Sequence, residues 1–471
     1  MPTFRLSDVA TATGGRLLPS LPDLEVAGVT TDSRQGVAGK LFVALRGERF
    51  DGHDFLAAAA SAGAAAALVD RPLDPAAAAG LALVVVDDSR HALGRLARWH
   101  ALRCDARRAA VTGSNGKTTT KELLRAALSA GGATVASAKS FNNDIGLPLT
   151  LLSIEPTTRY AALEMGTNHP GEIARLADLG RPEVGIITNC SHSHVEFLKD
   201  LDGVVAEKGA LLEALPAHGV AVLNADDPAL LKLRSRTRAR VVTFGIRRPA
   251  DFRAVDIRFD FRRLVYKLRG LRVYVPLGGC HNVYNSLASL AAAEALGVPL
   301  PDAIAALRDA EGPPMRLAPL RLDGVTLLDD TYNANPGSVE AALRTLAATP
   351  AKGRRVVVLG DMLELGEQST ALHGKCGELL SLVPDALLVA VGSYAHDVVA
   401  GARRRGLADD RALTCADGAA AALLLPPLLQ RGDVVLVKGS RGMAMERVVA
   451  AIAAAHGNTA ARAAGAGHGV A

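Results

Sequence analysis

Between Val111 and Leu124 the chain reads VTGSNGKTTTKELL, a glycine turn between a short apolar strand, Ala109 to Val111, and a helical pattern. Gly113 and Gly116 permit a tight turn in which successive N–H groups converge on anionic oxygens at a helix N-terminus, where aligned peptide dipoles leave partial positive charge. Lys117 adds a mobile cation, and Thr118 places a hydroxyl where a Mg2+ ion bridging two phosphates is coordinated. Ser114, Asn115 and Thr119 complete the cradle. The expected ligand is ATP. Val111 stands where the longer GxxxxGK[ST] pattern has its first glycine, so the match is to a shorter TGxxGKT variant. The strand before the turn and the helix after it favour phosphate binding over an ordinary strand–helix turn.

Such a loop needs a sheet to hold it. At 471 residues the chain is too long for one core and suggests two to four domains. Residues 1–82 read as a small α/β module, with an alanine helix from Asp54 to Gly63 feeding a strand from Ala65 to Val69. From 83 to 313, apolar strands at LALVVVD, AAVTG, YAALEMG, VGIITN and VAVLNADD alternate with helical sequence. That pattern predicts a doubly wound parallel sheet with functional residues beyond the strand C-termini. Glu164, the stretch from Asn189 to His194 and the stretch from Asn224 to Asp227 fall there. Residues 314–456 read as a second, Rossmann-like α/β unit with strands at GVTLLDD, RVVVLGD, ALLVAVG and DVVLVKGS, and 457–471 as a disordered tail.

Composition narrows the function classes. Hydrophobic residues make up 49% and charged residues 21%, near globular averages. The longest nearly apolar run, Phe55 to Val69, is short and broken by Ser61 and Gly63, so neither secretion nor a membrane span is expected and the location is cytoplasmic. Five scattered cysteines form no CxxC pair and read as reduced thiols. The net charge of +5 suits an acidic substrate. Much of that excess lies between Lys232 and Arg272, with 14 Lys or Arg against three Asp. Apolar and charged residues largely alternate there, which predicts half-buried antiparallel strands with a solvated basic face rather than a nucleic-acid interface.

Taken in order, TDSR, GERFDGHDF, TGSNGKTTTKE, FNNDIGLPLTLL, EMGTNHPGEI, HVEFL, HNVYNSLA, LLDDTYNANPGSVEA, VLGDMLELG and VKGSRGM resemble the Mur ligase family over roughly residues 25 to 450. The resemblance implies three domains: an N-terminal UDP-sugar domain, a central ATPase domain, and a C-terminal domain that closes over ATP. It further implies an ATP-dependent amide ligase that joins D-alanyl-D-alanine to UDP-N-acetylmuramoyl-tripeptide through an acyl phosphate, in cytoplasmic peptidoglycan precursor synthesis. A monomer is expected.

Matched to the family's motifs, Lys117 is the phosphate-binding lysine and Thr118 the first Mg2+ ligand, with Glu164 and His194 on a second metal. His192 of SHSH could compete, but spacing to Val195, Glu196 and Phe197 favours His194. Lys208 corresponds to the lysine carried as a carbamate, near the end of a helix starting around Val204. Asn282 and Asn285, beside His281, correspond to residues at the adenine; taken alone they would be a helix cap. Arg316, Asp330 and Tyr332 correspond to positions that reach ATP on closure. Asn142 and Asn143, Asn333 and Asn335 of YNANP, and Lys438, Ser440 and Arg441 fall to the substrates. Thr31, Asp32, Ser33 and Arg34 fall to the uridine diphosphate end. The alternatives are another ligase of the family or folylpolyglutamate synthase, and a P-loop phosphotransferase. The DNPR motif of diaminopimelate-adding members is absent, and a phosphotransferase leaves the C-terminal unit unexplained.

Overall fold

The computed structural model describes residues 2–18, 23–34, 36–71, 80–191, 198 and 200–457. Three sheets carry the architecture. The first, after a two-stranded ribbon of Phe4–Arg5 and Glu25–Val26, has five strands in the order Arg16–Leu18, Ala82–Val85, Ala66–Val69, Leu41–Val43, Val29–Thr30. Ala82–Val85 pairs in parallel with Ala66–Val69. The LALVVVD strand therefore closes the first sheet and does not open the central unit, and a boundary at residue 82 would cut through it. Its burial on a continuous apolar run looks the same whichever parallel sheet it joins, so periodicity could not assign it.

The central sheet has nine strands. Arg107–Thr112 lies between Tyr160–Glu164 and Val184–Ile187, all parallel. Thr134–Ala136 closes one edge, while Val220–Asn224 and Arg240–Gly245 extend the other. The basic stretch forms the far end as Phe252–Phe259, Leu264–Leu268 and Leu271–Val275, paired antiparallel as the alternation predicts. Tyr266 and Val273 point into the core while Lys267 and Arg272 stay outside. Because the chain leaves Arg107–Thr112 and its next strands fall on both sides of it, the following loop opens at a topological switch point, where a crevice forms.

The helix Lys117–Ser129 packs against the long helix His281–Ala295. Small residues Ser286, Ala288, Ser289 and Ala292 on the latter are buried and permit close approach. The helix Ser89–Ala101 sits between the first two sheets, sharing one apolar cluster with Leu68 and Val84 on one side and Ala110 and Leu163 on the other. The third sheet runs Ala318–Arg321, Thr326–Asp330, Val434–Lys438, Arg355–Gly360, Leu387–Val391, Ala412–Cys415, parallel except at its first pair. Leu198 and Val204 of the central unit pack into its apolar cluster with Leu317 and Leu328. No helix among the described residues is long and apolar enough to cross a membrane. The tail expected beyond Gly457 lies outside the described residues.

Candidate active site

A cleft of 1240 Å³ runs between the central and C-terminal sheets, with the glycine loop on its floor. Gly113 has φ 150°, and a Cβ there would lie 1.9 Å from Thr188 Oγ1; at Gly116, φ 82°, it would lie 2.4 Å from Asn285 Oδ1. Close approach as well as backbone conformation therefore demands glycine at both positions. Ser114 N–H donates to the Asn189 carbonyl (2.9 Å) and Asn115 N–H to Asn189 Oδ1 (3.1 Å), while the Thr188 hydroxyl donates to the Asn115 carbonyl (2.6 Å). Those bonds tie the loop to the neighbouring strand end. The first-turn N–H groups of the helix Lys117–Ser129 are left for an anion. Lys117 Nζ donates to its own loop, to Gly113 O at 2.7 Å. Burial, with the Lys208 and Arg316 cations nearby, lowers its pKa to about 7, against the opposing pull of Glu164.

Glu164 ends the strand Tyr160–Glu164 and is 1% exposed. Oε1 accepts from Asn142 Nδ2 (2.8 Å) and from the Thr118 hydroxyl (3.2 Å). Oε2 is buried with no partner among the described residues. A buried carboxylate oxygen without a donor, beside a threonine hydroxyl, is the hard oxygen set that suits Mg2+. His194 and its competitor His192 lie outside the described residues, and among those described no three His, Cys, Asp or Glu side chains cluster. Lys208 sits in the middle of the helix Leu201–Glu213, which begins three residues earlier than expected because Asp200 caps it through Gly203 N–H. At 1% exposure Lys208 makes no hydrogen bond among the described residues, and burial lowers its pKa.

Asn282 and Asn285 lie inside the helix His281–Ala295, whose N-cap is Cys280, so they do not cap it. Asn282 Nδ2 donates to Gly278 O (2.6 Å), Asn285 Nδ2 to Asn282 Oδ1 (2.8 Å), and the Thr120 hydroxyl to Asn285 Oδ1 (3.2 Å). The pair thus braces the glycine loop from behind while lining the cleft with Thr119 and His281. Burial and, second, Lys438 lower the His281 pKa to about 4, and its Nδ1 is buried without a partner among the described residues.

From the C-terminal side, Arg316 Nη2 donates to the Thr118 hydroxyl (3.1 Å) with its guanidinium 4.1 Å from the Tyr332 ring centroid. Both neighbours, Met315 and Leu317, have left-handed φ of 60° and 50°. That conformation is costly for side chains with a Cβ. It is held by Tyr332 N–H on Met315 O and Leu317 N–H on Asp330 Oδ1. Burial raises the Asp330 pKa, against Lys438 and Arg316. Lys438 donates to Asp330 Oδ2 (2.7 Å) and Asn333 O (2.8 Å), holding the YNANP turn while lining the cleft. Asn333 folds onto Ala334 N–H, and Ser440 Oγ accepts from Leu363 N–H (2.8 Å). Arg441 is exposed at the rim, 3.3 Å from Glu446. Asn335 caps the helix Pro336–Ala348 and exchanges two hydrogen bonds with Asn115, at 2.8 and 3.2 Å.

Asn142 and Asn143 reach the cleft by different means: Asn142 touches Glu164, whereas Asn143 accepts Ile145 and Gly146 N–H groups and shapes the turn. Thr31, Asp32, Ser33 and Arg34 are not among the residues lining the cleft. Arg34 pairs with Asp32 at 2.8 Å in the turn after the edge strand Val29–Thr30 of the first sheet. Several contributors escaped sequence reasoning. Ser137 Oγ accepts Glu164 N–H, Glu207 caps the helix Glu172–Gly180 through Gly171 and Ile173 N–H, and Arg90, Asp144 and Arg175 line the cleft. Only Asp144 fell within a recognised motif, and no local signal marks the others.

Comparison with known proteins agrees along most of the chain. The "Mur ligase family, catalytic domain" matches residues 25–100, the "Mur ligase middle domain" 111–293, and the "Mur ligase, glutamate ligase domain" 315–441. The UDP-N-acetylmuramoyl-tripeptide–D-alanyl-D-alanine ligase of Escherichia coli (strain K12) is 40% identical over 438 residues, covering 91% of this chain and 94% of that one. A solved UDP-N-acetylmuramoylalanyl-D-glutamyl-2,6-diaminopimelate–D-alanyl-D-alanyl ligase from Acinetobacter baumannii superimposes with TM-score 0.84 at 32% identity, covering 96% of this chain and 98% of that one. MurF ligase from Thermotoga maritima in complex with ADP gives TM-score 0.77 at 27% identity, covering 91% and 98%. The cleft residues and these matches, over all three sheets, assign the chain to the Mur ligase family.

Proposed function

We propose that this chain is the ATP-dependent ligase that joins D-alanyl-D-alanine to UDP-N-acetylmuramoyl-tripeptide in peptidoglycan precursor synthesis. The observation that carries the chemistry is the meeting of Lys117, Thr118, the unpartnered Glu164 oxygen and Arg316 at one point, drawn from two sheets. The name of the E. coli relative supplies the substrates, and the ADP complex of the T. maritima protein supports ATP.

ATP phosphorylates the peptide's C-terminal carboxylate, the dipeptide amine attacks the acyl phosphate, and collapse releases phosphate and the amide. Negative charge builds first on the transferring phosphoryl group and then on the tetrahedral oxygen. Lys117 would swing from its own loop carbonyls onto the phosphates, and the helix N-terminus behind it would hold them. Arg316, fixed over Tyr332, would neutralise the transferring group, and Asp330 with Lys438 would hold it in register. Glu164 and Thr118, with His194 and Lys208, would hold Mg2+, which supplies charge neutralisation and orients the phosphates. Asn282 and Asn285 would support the adenine side, Ser440 and Arg441 the dipeptide, and Thr31 to Arg34 the uridine diphosphate end. A cytoplasmic location fits the use of a UDP-linked precursor and ATP. The proposed working unit is a monomer, since the central and C-terminal units of one chain meet where Arg316 bonds Thr118 and Asn335 bonds Asn115.

Lys208 is proposed to carry a carbamate. Its burial favours the neutral amine, the form that adds carbon dioxide with loss of a proton. The resulting carboxylate turns a cation that would repel Mg2+ into a ligand. The functional reading is tested by phosphate release with UDP-N-acetylmuramoyl-tripeptide or the dipeptide form, each with and without D-alanyl-D-alanine. Turnover should require tripeptide and D-alanyl-D-alanine together. Turnover on the dipeptide form with a single amino acid would instead identify a third-residue-adding ligase.

A further inference from the structure

Two guanidinium groups in the cleft make no hydrogen bond among the described residues. Arg90 lies in the first turn of the helix Ser89–Ala101 and Arg175 on the helix Glu172–Gly180, with side chains 44% and 47% exposed. Each faces the same carboxylate, Asp144 Oδ2, at 3.6 and 3.9 Å, too far for a hydrogen bond. Each guanidinium has five N–H donors, so nearly all of their capacity is open to a ligand. Two arginines and one aspartate leave this cluster a net positive charge, which attracts an anion and, through the planar forks, favours a carboxylate.

The helices that carry the two arginines are anchored at their N-termini. Asp88 caps the helix of Arg90 through His91 N–H (2.7 Å), and Glu207 caps that of Arg175 through Gly171 (2.7 Å) and Ile173 (2.8 Å). Asp144 lies two residues from Asn142, which donates to Glu164. Two residues of chain span at most about 7 Å between Cα atoms, and Arg90, Asp144 and Arg175 line the same cleft as Asn142 and Glu164.

We propose that Arg90 and Arg175, spaced by Asp144, form a subsite for a carboxylate of the tripeptide other than the one that is activated. This rests on the functional reading above. Two groups in such a peptide have this chemistry: the free carboxylate of a D-glutamyl residue, and the second carboxylate of a 2,6-diaminopimelate third residue, both named in the A. baumannii relative's substrate.

The test is steady-state kinetics of the full chain, wild type against Arg90→Gln, Arg175→Gln and Arg175→Lys, with three substrates. These are the diaminopimelate tripeptide, its lysine counterpart, and the diaminopimelate tripeptide with the glutamyl carboxylate amidated. With the diaminopimelate tripeptide each Gln variant should raise KM about tenfold to a hundredfold, the usual value of a charge-assisted hydrogen bond. The Arg175→Lys variant should recover part of it, with kcat and the KM values for ATP and D-alanyl-D-alanine within about twofold of wild type. If the penalty vanishes with the lysine peptide, the subsite reads the third residue; if it vanishes with the amidated peptide, it reads the glutamyl carboxylate. A penalty that persists in both, unchanged tripeptide KM in both Gln variants, or a common fall in all parameters with a lowered thermal midpoint, would overturn the subsite. Wild type with no D-alanyl-D-alanine-dependent turnover on any tripeptide would overturn the functional reading itself, and the subsite with it.

Discussion

The reciprocal amide pair between Asn115 and Asn335 makes the phosphate loop sensitive to where the C-terminal unit sits. Asn335→Ala would confound two effects, because Asn335 also caps the helix Pro336–Ala348 by accepting Ser338 N–H at 2.9 Å. Loss of such a cap costs about 1 kcal/mol by itself. Asn335→Ser keeps a competent cap but is too short to reach Asn115, so it isolates the contact between the units. Two neutral hydrogen bonds worth about 0.5 to 1.5 kcal/mol each give about 1 to 3 kcal/mol, or about a 5- to 150-fold fall in kcat/KM for ATP. Asn115→Ala should lose a similar amount, plus the smaller share of its 3.2 Å bond to Ser191 Oγ. The double variant should then be little worse than Asn115→Ala, a coupling energy of at least about 1 kcal/mol. Since neither group is charged, the coupling should not change with ionic strength. Phosphate-release kinetics at saturating tripeptide and D-alanyl-D-alanine measure all four corners of the cycle. Additive losses would show that the two asparagines act separately and that the pair does not transmit the C-terminal unit's position to the loop.

Lys117→Ala should cut turnover on the order of a hundredfold or more, the value of one electrostatic contact to developing charge of about 3 to 4 kcal/mol; a variant within tenfold of wild type would remove Lys117 from the phosphate site. With Lys208 uncarbamylated, the Lys117 pKa, lowered to about 7 chiefly by burial, should rise when polyphosphate anions replace its carbonyl partners. Nucleotide binding should therefore take up a proton above pH 7 and none well below it, with affinity falling as pH rises through 7. Titration calorimetry at pH 8 in buffers of different ionisation enthalpy reads this directly, and buffer-independent heats would contradict it. Lys208→Arg keeps the charge but cannot form a carbamate, so it should be inactive, whereas short carboxylic acids should partly restore Lys208→Ala; a fully active Lys208→Arg would return Lys208 to a structural role.

The amino-acid sequence by itself determined the phosphate loop, the α/β class, the family and a share of the cleft residues that includes Lys117, Glu164 and Arg316. Those signals are local: glycines where a Cβ would meet Thr188 or Asn285, apolar runs for buried strands, and alternation for the basic hairpins. What the sequence could not rank was the use made of each residue. Lys438 ends a strand and Ser440 follows it, where ligand contacts are expected, and only the structure shows that they also bond Asp330, Asn333 and Leu363. Asn282 and Asn285, placed at the adenine by the family's motif, would taken alone be a helix cap, but the helix start at His281 puts them inside it. The strand Ala82–Val85 was apolar enough for either sheet, and only pairing with Ala66–Val69 chose one. Contacts between units were invisible for the same reason: Arg316 on Thr118 and Asn335 on Asn115 join residues 198 and 220 positions apart. Arg90, Asp144 and Arg175 come together only because two helices and a turn from separate parts of the chain meet at one cleft wall. A hydrogen bond or ion pair depends on distance in space, and distance along the chain carries no trace of it once tertiary packing has brought the two ends together.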